Sequence, residues 1–422
     1  MGSILLKGVT LMDGKKTDIL IKGNRIESIK ADLGERTIAD ETINCVNYTA
    51  VPGFLNMHTH AAMTLTRGIS KEHTLQRWLD DVWAIEARMD ENAIYWGSKL
   101  AFLEMLKTGT TTFLDMYWFP RTVARAAEEM GMRGFITHVF LDSFDKGKAE
   151  KQKKECLETF EESKKWPDRL KFGVSIHADY TTSEETMKWA GDFAAGNDLI
   201  LHAHIAETQL ETIKDIERHG LTPVQHFDKF GLINERFISA HTIWVNDEDI
   251  EILGCRKANI VHNINSNLLL SSGYKFKFTE LRDAGANVCI GTDGCGSSDN
   301  LDIRESLKTV AMIQKAWRKE PKSLPLSELM DAATVCGAKA LRLNTGRIEE
   351  GCLADILLVN THCEAFTPNY DFTGNFILSA NSSCIDTVIC DGKVVMRNRK
   401  VAGEDEILDK ANEVAWKLMN KK

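Results

Sequence analysis

Several features common in chains of this size are missing from this one, and each absence narrows what it can do. No block of Lys and Arg occurs, and the formal net charge is −9; phosphate backbones and anionic membrane surfaces require concentrated positive charge, so neither is expected as a partner. The richest basic stretch, 146–165, is interleaved with Glu and reads as the solvated face of a helix. Ten cysteines contain no C-x-x-C pair, which excludes a zinc ribbon, a thioredoxin-type redox motif and the P-C-x-x-C of cytidine-type zinc deaminases. They are expected to stay reduced. No apolar run reaches the roughly 20 residues that span a bilayer. The opening MGSILLKGVT offers no cationic leader with an apolar core, and Leu6 stands where a myristoylation signal wants Ser or Thr. The expectation is a cytoplasmic protein acting on small molecules.

What is present is organised in two grammars. Residues 1–50 give short alternating strands, ILLKGVTLM, KTDILIKG and RIESIKA, punctuated by Asp13-Gly14 and Gly23-Asn24. The same grammar returns in ADILLVN and DTVICDGKVVMRNRK, followed by helical spacing over 404–419. Neither end has enough strands for a core, so the two are expected to meet as one small β-sandwich domain made of residues 1–54 and 346–422. Residues 55–345 instead alternate apolar runs with amphipathic segments such as 96–107, 122–129 and 207–219. The runs are TAVPGFLNMH, TTTFLDM, GFITHVF, KFGVSIH, LILHAHIAE, FISAHTI, ANIVHN and NVCIGTD. Eight such units predict an α/β fold, a (β/α)8 TIM-like barrel with its chemistry at the C-terminal strand ends. A doubly wound sheet would usually bring a Gly-rich phosphate loop, and neither G-x-G-x-x-G nor G-x-x-x-x-G-K-[ST] occurs.

Metal-capable residues collect in these runs and at their ends. Eight of the twelve histidines lie there, His58, His60, His138, His177, His202, His204, His241 and His262, with Glu207 after the fifth run and Asp293 closing the eighth. A lone strand histidine is more often a hydrogen-bonded core residue than a ligand. His58 and His60 share one face, however, because strand side chains alternate with period two, and two imidazoles facing a barrel interior are costly to leave unpaired. Imidazole with carboxylate suits Zn²⁺ first, with Fe, Mn, Ni or Co compatible with the same donors. An open coordination position would lower the pKa of water to about 7 and favour hydrolysis. Glu207 is placed to act as the proton donor; its bland alternative is a solvent-facing glutamate in the first turn of a helix.

The segments PGFLNMHTHAAMTLTRG, LEMLKTGTTTFLDM, HAHIAET, SAHTIWV, SNLLLSSG, GTDGCGSSDNLDI and GAKALRLNTGRIEEGCLADILLVN resemble the amidohydrolase superfamily in its aminohydrolase/chlorohydrolase branch. Within it they are most similar to the methylthioadenosine/S-adenosylhomocysteine deaminases. The resemblance implies one divalent metal held by His58, His60, His204 and Asp293, with Glu207, His241 and Asp293 as catalytic residues. It leaves His202 as a deeper interior residue. No Lys stands near His177 to bridge a second metal. Substrate contacts implied are Glu86, His177 and Trp83, with Trp78 as a second wall and His138 where homocysteine-accepting members carry an arginine. Glu86 could otherwise be an exposed helix residue paired with Arg88 or Lys99. Two departures stand out: His138 itself, with Lys146 and Lys148 nearby, and the missing proline before Ser266 in VHNINSN.

The expected reaction is hydrolytic deamination of an adenine nucleoside: methylthioadenosine, adenosine, 5′-deoxyadenosine or S-adenosylhomocysteine. The alternative is hydrolysis of another N-heterocycle of the guanine, cytosine or s-triazine type. A non-enzymatic barrel is disfavoured by the complete ligand set. A homo-oligomer is compatible with a barrel of this kind, though no segment marks an interface.

Overall fold

The computed structural model describes residues 2–70 and 72–420; Met1 and Lys421–Lys422, at the outer ends of the two terminal segments, and Lys71 lie outside the described residues. Strands β1 (Ser3–Leu11), β2 (Lys16–Lys22), β3 (Arg25–Lys30), β4 (Glu41–Asn44) and β5 (Tyr48–Pro52) open the chain. Barrel strands follow as β6 (Phe54–Thr59), β7 (Thr110–Met116), β8 (Arg133–Phe140), β9 (Leu170–Ile176), β10 (Leu201–Ile205), β11 (Phe237–His241), β12 (Asn259–His262) and β13 (Asn287–Ile290). The chain ends with β14 (Ile356–Asn360), β15 (Ile385–Cys390), β16 (Lys393–Met396) and the helix Glu404–Asn420.

β6 to β13 pair in sequence order, each parallel to the next. Their residues are almost wholly buried, because helices cover the outside and the barrel closes on itself; such strands read as continuous apolar runs rather than alternating ones. Closure comes from side chain and backbone together. Thr292 N and Asp293 N both donate to His58 O, at 3.2 and 3.0 Å, and the Asn56 amide brackets Thr292, donating to its Oγ1 at 2.7 Å and accepting from its N at 3.1 Å.

The terminal segments form one eight-stranded mixed sheet in the order β16-β15-β14-β5-β1-β2-β3, with β4 on β1. It folds back until its β3 edge meets residues 351–354: Ile26 N donates to Cys352 O at 2.9 Å and Gly351 N to Ile26 O at 2.8 Å. Inside lie Leu6, Val9, Ile19, Ile21, Ile26, Ile356 and Leu358, each contributing about 1.5–3 kcal/mol by leaving water.

The run TAVPGFLNMH, expected as one strand, is two. β5 belongs to the terminal sheet, antiparallel to β14, and β6 to the barrel. The switch is Gly53, whose N donates to Asp355 O at 2.9 Å and whose missing Cβ would stand 2.2 Å from Thr111 Oγ1. The expected helices 96–107 and 122–129 lie inside Glu91–Thr108 and Pro120–Met130. The one expected over 207–219 begins two residues later, at Gln209: Thr208 is its N-cap and Glu211 completes a capping box. Glu207 therefore stands in the turn before the helix. The ten cysteines are free thiols, and among the described residues no helix is long and apolar enough to cross a membrane.

Candidate active site

The strand ends put His58, His60, His204 and Asp293 around one point. Asp293 Oδ1 lies 3.3 Å from His58 Nε2 and 3.2 Å from His60 Nε2, and His204 Nε2 lies 3.3 Å from His60 Nε2. All four residues are buried. The chain reaches this geometry through strained backbone: Ala206, His241, Thr242 and Asp293 all have positive φ, at 49°, 70°, 51° and 66°. Non-glycine residues pay about 1–3 kcal/mol each for such conformations, which collect at functional sites. Gly294 permits the close approach, since a Cβ there would meet Met63 Sδ at 2.5 Å and His60 Cβ at 3.0 Å.

Hydrogen bonds assign the tautomers. His60 Nδ1 donates to Met116 O at 2.5 Å and His204 Nδ1 to His177 O at 2.7 Å, so both present an unprotonated Nε2 to the cluster. His58 is set by a relay. His202 Nδ1 donates to Ile238 O at 2.8 Å, which makes His202 Nε2 an acceptor for His58 Nδ1–H at 2.8 Å. In the neutral tautomers these bonds select, three imidazole lone pairs converge on a carboxylate and call for a positive charge between them, and His58 Nε2 is buried without a hydrogen-bond partner. That donor set fits a divalent cation. Electrostatics make the same demand: burial opposes a proton on His60, yet the Asp293 carboxylate holds that imidazole up at about 9. Burial brings His58 down to about 4. Asp293 is oriented in turn, its Oδ2 accepting from Ser266 Oγ at 2.6 Å and Ser297 Oγ at 3.0 Å.

Glu207 and His241 border the same cavity. Burial, and after it the charge of Asp293, pushes the Glu207 carboxyl up to about 8, so it holds a proton at neutral pH. Its Oε1 accepts from Ser272 Oγ at 3.3 Å, and its Oε2 lies 3.8 Å from His241 Nε2. The Asn267 amide donates to His241 Nδ1 at 2.8 Å, which leaves the imidazole proton on Nε2, facing Glu207. Glu211 fixes the turn, accepting from the backbone N of Ala206 at 2.9 Å and of Glu207 at 2.8 Å.

The cavity holds about 60 Å³ and is also lined by Glu86, Trp78, Trp83, Tyr117 and His177. Glu86 is buried and accepts from Tyr117 Oη at 2.5 Å, while Lys99 pairs with Glu129 at 2.6 Å. The Trp83 and His177 rings stand 6.1 Å apart. Trp83, Glu86, Trp118 and Tyr180 also border a wider groove of about 890 Å³ that reaches Phe119, Phe144 and Lys148. His138 is not among the residues lining the central cavity; it borders an adjoining one of about 450 Å³ beside Gln152 and Glu155, and its Nε2 is buried without a hydrogen-bond partner. Sequence reasoning placed His202 in the interior without its orienting role and missed Glu211, Asn267 and Tyr117. The buried polar letters of VHNINSN and the T-x-x-E of the capping box were the available signals.

Comparison with known proteins follows the same line. Residues 49–395 match the amidohydrolase family. The chain is 37% identical to 5-methylthioadenosine/S-adenosylhomocysteine deaminase 1 of Archaeoglobus fulgidus, covering 98% of this chain and 99% of that one. It is 40% identical to the 5′-deoxyadenosine deaminase of Methanosphaera stadtmanae, covering 96% and 97%. Among solved structures, an adenosine deaminase from Xanthomonas campestris with bound zinc superposes with a TM-score of 0.93 at 25% identity, over 99% of both chains.

Proposed function

The chain belongs to the amidohydrolase family, and from that premise we propose that it is a metal-dependent aminohydrolase that deaminates adenine nucleosides. The observation that carries the reading is the pairing of three imidazole lone pairs and Asp293 with Glu207, a carboxylic acid held near 8 in the same cavity. The relatives named as adenine-nucleoside deaminases, similar over nearly the whole chain, support the substrate class.

His58, His60, His204 and Asp293 would hold one divalent ion, zinc in the first place. Bound there, it would supply a hydroxide-equivalent nucleophile at neutral pH by lowering the pKa of water to about 7. Asp293 is placed to take a proton from the attacking water, and His241 to orient that water through its Nε2–H. Glu207 gives its proton to the ring nitrogen beside the carbon under attack, so negative charge does not build on a ring losing its aromaticity. Asp293 then returns a proton to the departing amine while the hydroxyl on the attacked carbon gives its proton back to Glu207, so ammonia leaves and the carbonyl of the hypoxanthine nucleoside forms. Glu86, its carboxylate fixed by Tyr117, accepts from the ribose hydroxyls, Trp83 and His177 flank the purine, and the groove beyond them receives the 5′-substituent. Phe119, Leu141 and Phe144 make that groove apolar, which favours 5′-deoxy and 5′-methylthio groups.

The test is ammonia release by zinc-loaded protein from methylthioadenosine, 5′-deoxyadenosine, adenosine, S-adenosylhomocysteine, adenine, guanine and cytosine. Turnover confined to adenine nucleosides, with Glu86→Ala losing activity on nucleosides, is the expected result. Turnover of a free base alone would transfer the same chemistry to another ring and remove the ribose role of Glu86.

A further inference from the structure

A second group of histidines and carboxylates lies behind the site, on helices rather than strand ends, and the proposed reaction uses none of it. Glu211, Asp215 and His219 stand at i, i+4 and i+8 on one face of the helix Gln209–His219. Gly220, at φ 69°, ends that helix and lets the chain turn back. The following helix, Pro223–Lys229, thereby lays the fully buried His226 ring against His219, centroids 3.9 Å apart. From the turn after β9 comes Asp179, 3% exposed.

The ligand atoms of Asp179, His219 and His226 all lie within 4.8 Å of one another. His226 Nδ1 is 2.6 Å from Asp179 Oδ2, and His219 Nε2 is 3.7 Å from Asp179 Oδ1. The opposite nitrogens of both rings face Glu184 Oε1, at 3.1 and 3.7 Å. His226 is thus hydrogen-bonded to a carboxylate at each ring nitrogen, and the proton on its Nδ1 is the one a cation would replace, while His219 reaches Asp179 and Glu184 only at ion-pair distance. Two ligands of one tetrahedral zinc ion sit about 3.3 Å apart, from metal–ligand bonds near 2.0–2.2 Å, so small side-chain shifts bring these atoms to coordination distance.

An independent observation points the same way. Asp215 is 1% exposed, and both its carboxylate oxygens are buried without a hydrogen-bond partner. The charges that reach it are those of Asp179, Glu211, Arg218 and His226. Arg218 extends over the Phe144 ring, 5.8 Å from its centroid. His219 Nε2 likewise has no hydrogen-bond partner. A buried carboxylate left unmatched is destabilising unless a cation or a proton meets it.

We propose that Asp179, His219 and His226 form a second, structural site for a divalent metal ion of the zinc type, with the buried Asp215 carboxylate adding its charge. The ion displaces the proton shared by His226 and Asp179 and ties the helix that follows Glu207 to the turn that follows His177.

The experiment is metal content per chain, by plasma mass spectrometry, of full-length protein stripped with chelator, equilibrated with zinc and desalted. Two equivalents are expected in the wild type. His219→Asn and Asp215→Asn should each retain one, and Asp293→Asn should lose the other. Because His219 is partly exposed, its variant is the one expected to fold unchanged, which circular dichroism checks. A second readout uses the Asp293→Asn background: added zinc should raise its thermal midpoint, and His219→Asn should abolish that rise. One equivalent in the wild type, lost in Asp293→Asn and kept in His219→Asn, would overturn the second site and mean that a proton meets Asp215. Loss in His219→Asn with full retention in Asp293→Asn would instead sink the strand-end metal of the proposed function.

Discussion

The two ends of the barrel bury charge in opposite ways. At the N-terminal end Arg133, the first residue of β8, donates through Nε to Asp355 Oδ2 at 3.0 Å and through Nη2 to Asp391 Oδ1 at 2.8 Å. Asp355 also accepts from Asp391 N at 2.7 Å and Thr345 Oγ1 at 3.1 Å. Every charge is answered, and the group joins the barrel to the terminal sheet. At the C-terminal end the imidazole lone pairs face a carboxylate, His58 Nε2 lacks a partner, and Glu207 is pushed up to about 8. The closed end carries stability, while the open end keeps valences for something that arrives. This division is the one expected of barrels, whose chemistry sits at the C-terminal face.

The sharpest way to break the comparison is Glu207→Gln. Activity should fall about 10²–10⁴-fold, the usual worth of a general acid, with metal content kept and the thermal midpoint unchanged or raised. Unchanged turnover would remove Glu207 from the mechanism, and a large loss of stability would make the open end structural after all. Arg133→Met should do the converse. Leaving Asp355 buried without its cation is expected to destabilise by about 3–5 kcal/mol, read by urea unfolding, while kcat per folded chain holds. A matching fall in kcat would mean the two ends are coupled. Next in size is the His202 relay. His202→Phe takes the acceptor from His58 Nδ1 and should weaken zinc affinity about 10–100-fold, with His202→Gln, which can accept through Oε1, restoring most of it. Equal affinities in the two variants would deny His202 its positioning role.

How much of this was legible in the sequence follows from the same physics. Fully buried parallel strands must be short apolar runs, so seven of the eight barrel runs mark their strands within a few residues. The eighth misled because TAVPGFLNMH stays apolar across Gly53, where only a backbone contact and a close approach to Thr111 separate two sheets. His58, His60 and Asp293 were readable as strand-end residues, and period-two alternation put the two histidines on one side, but alternation left His202 and His204 open and only the family resemblance chose His204. The cluster of Asp179, Asp215, His219 and His226 was not. Its members belong to a turn and two helices whose packing depends on the Gly220 reversal, and no local motif announces that His219 and His226 will stack.

The smallest effect is a dependence on pH that separates the two ends by sign and shape. Glu207 has its carboxyl raised from the ordinary 4.5 to about 8 by burial and by Asp293. A raised acid keeps its proton in the folded chain where the unfolded chain has lost it, so the folded state is favoured fully below pH 4.5 and loses that advantage as pH rises through 8. Histidines held neutral by burial, such as His177 and His262, pull the other way, so the profile of the whole protein is a sum that isolates neither. A difference does. In protein stripped of metal, Glu207→Gln should match the wild type near pH 5 and become progressively the more stable of the two toward pH 8.5, since only the wild type must ionise a buried acid. Arg133→Met should lie below the wild type at every pH over the same range. Urea unfolding at three pH values reads both. A margin for Glu207→Gln that stays flat would mean the Glu207 carboxyl is already ionised at pH 5, and the proton assigned to it for catalysis would have to come from elsewhere.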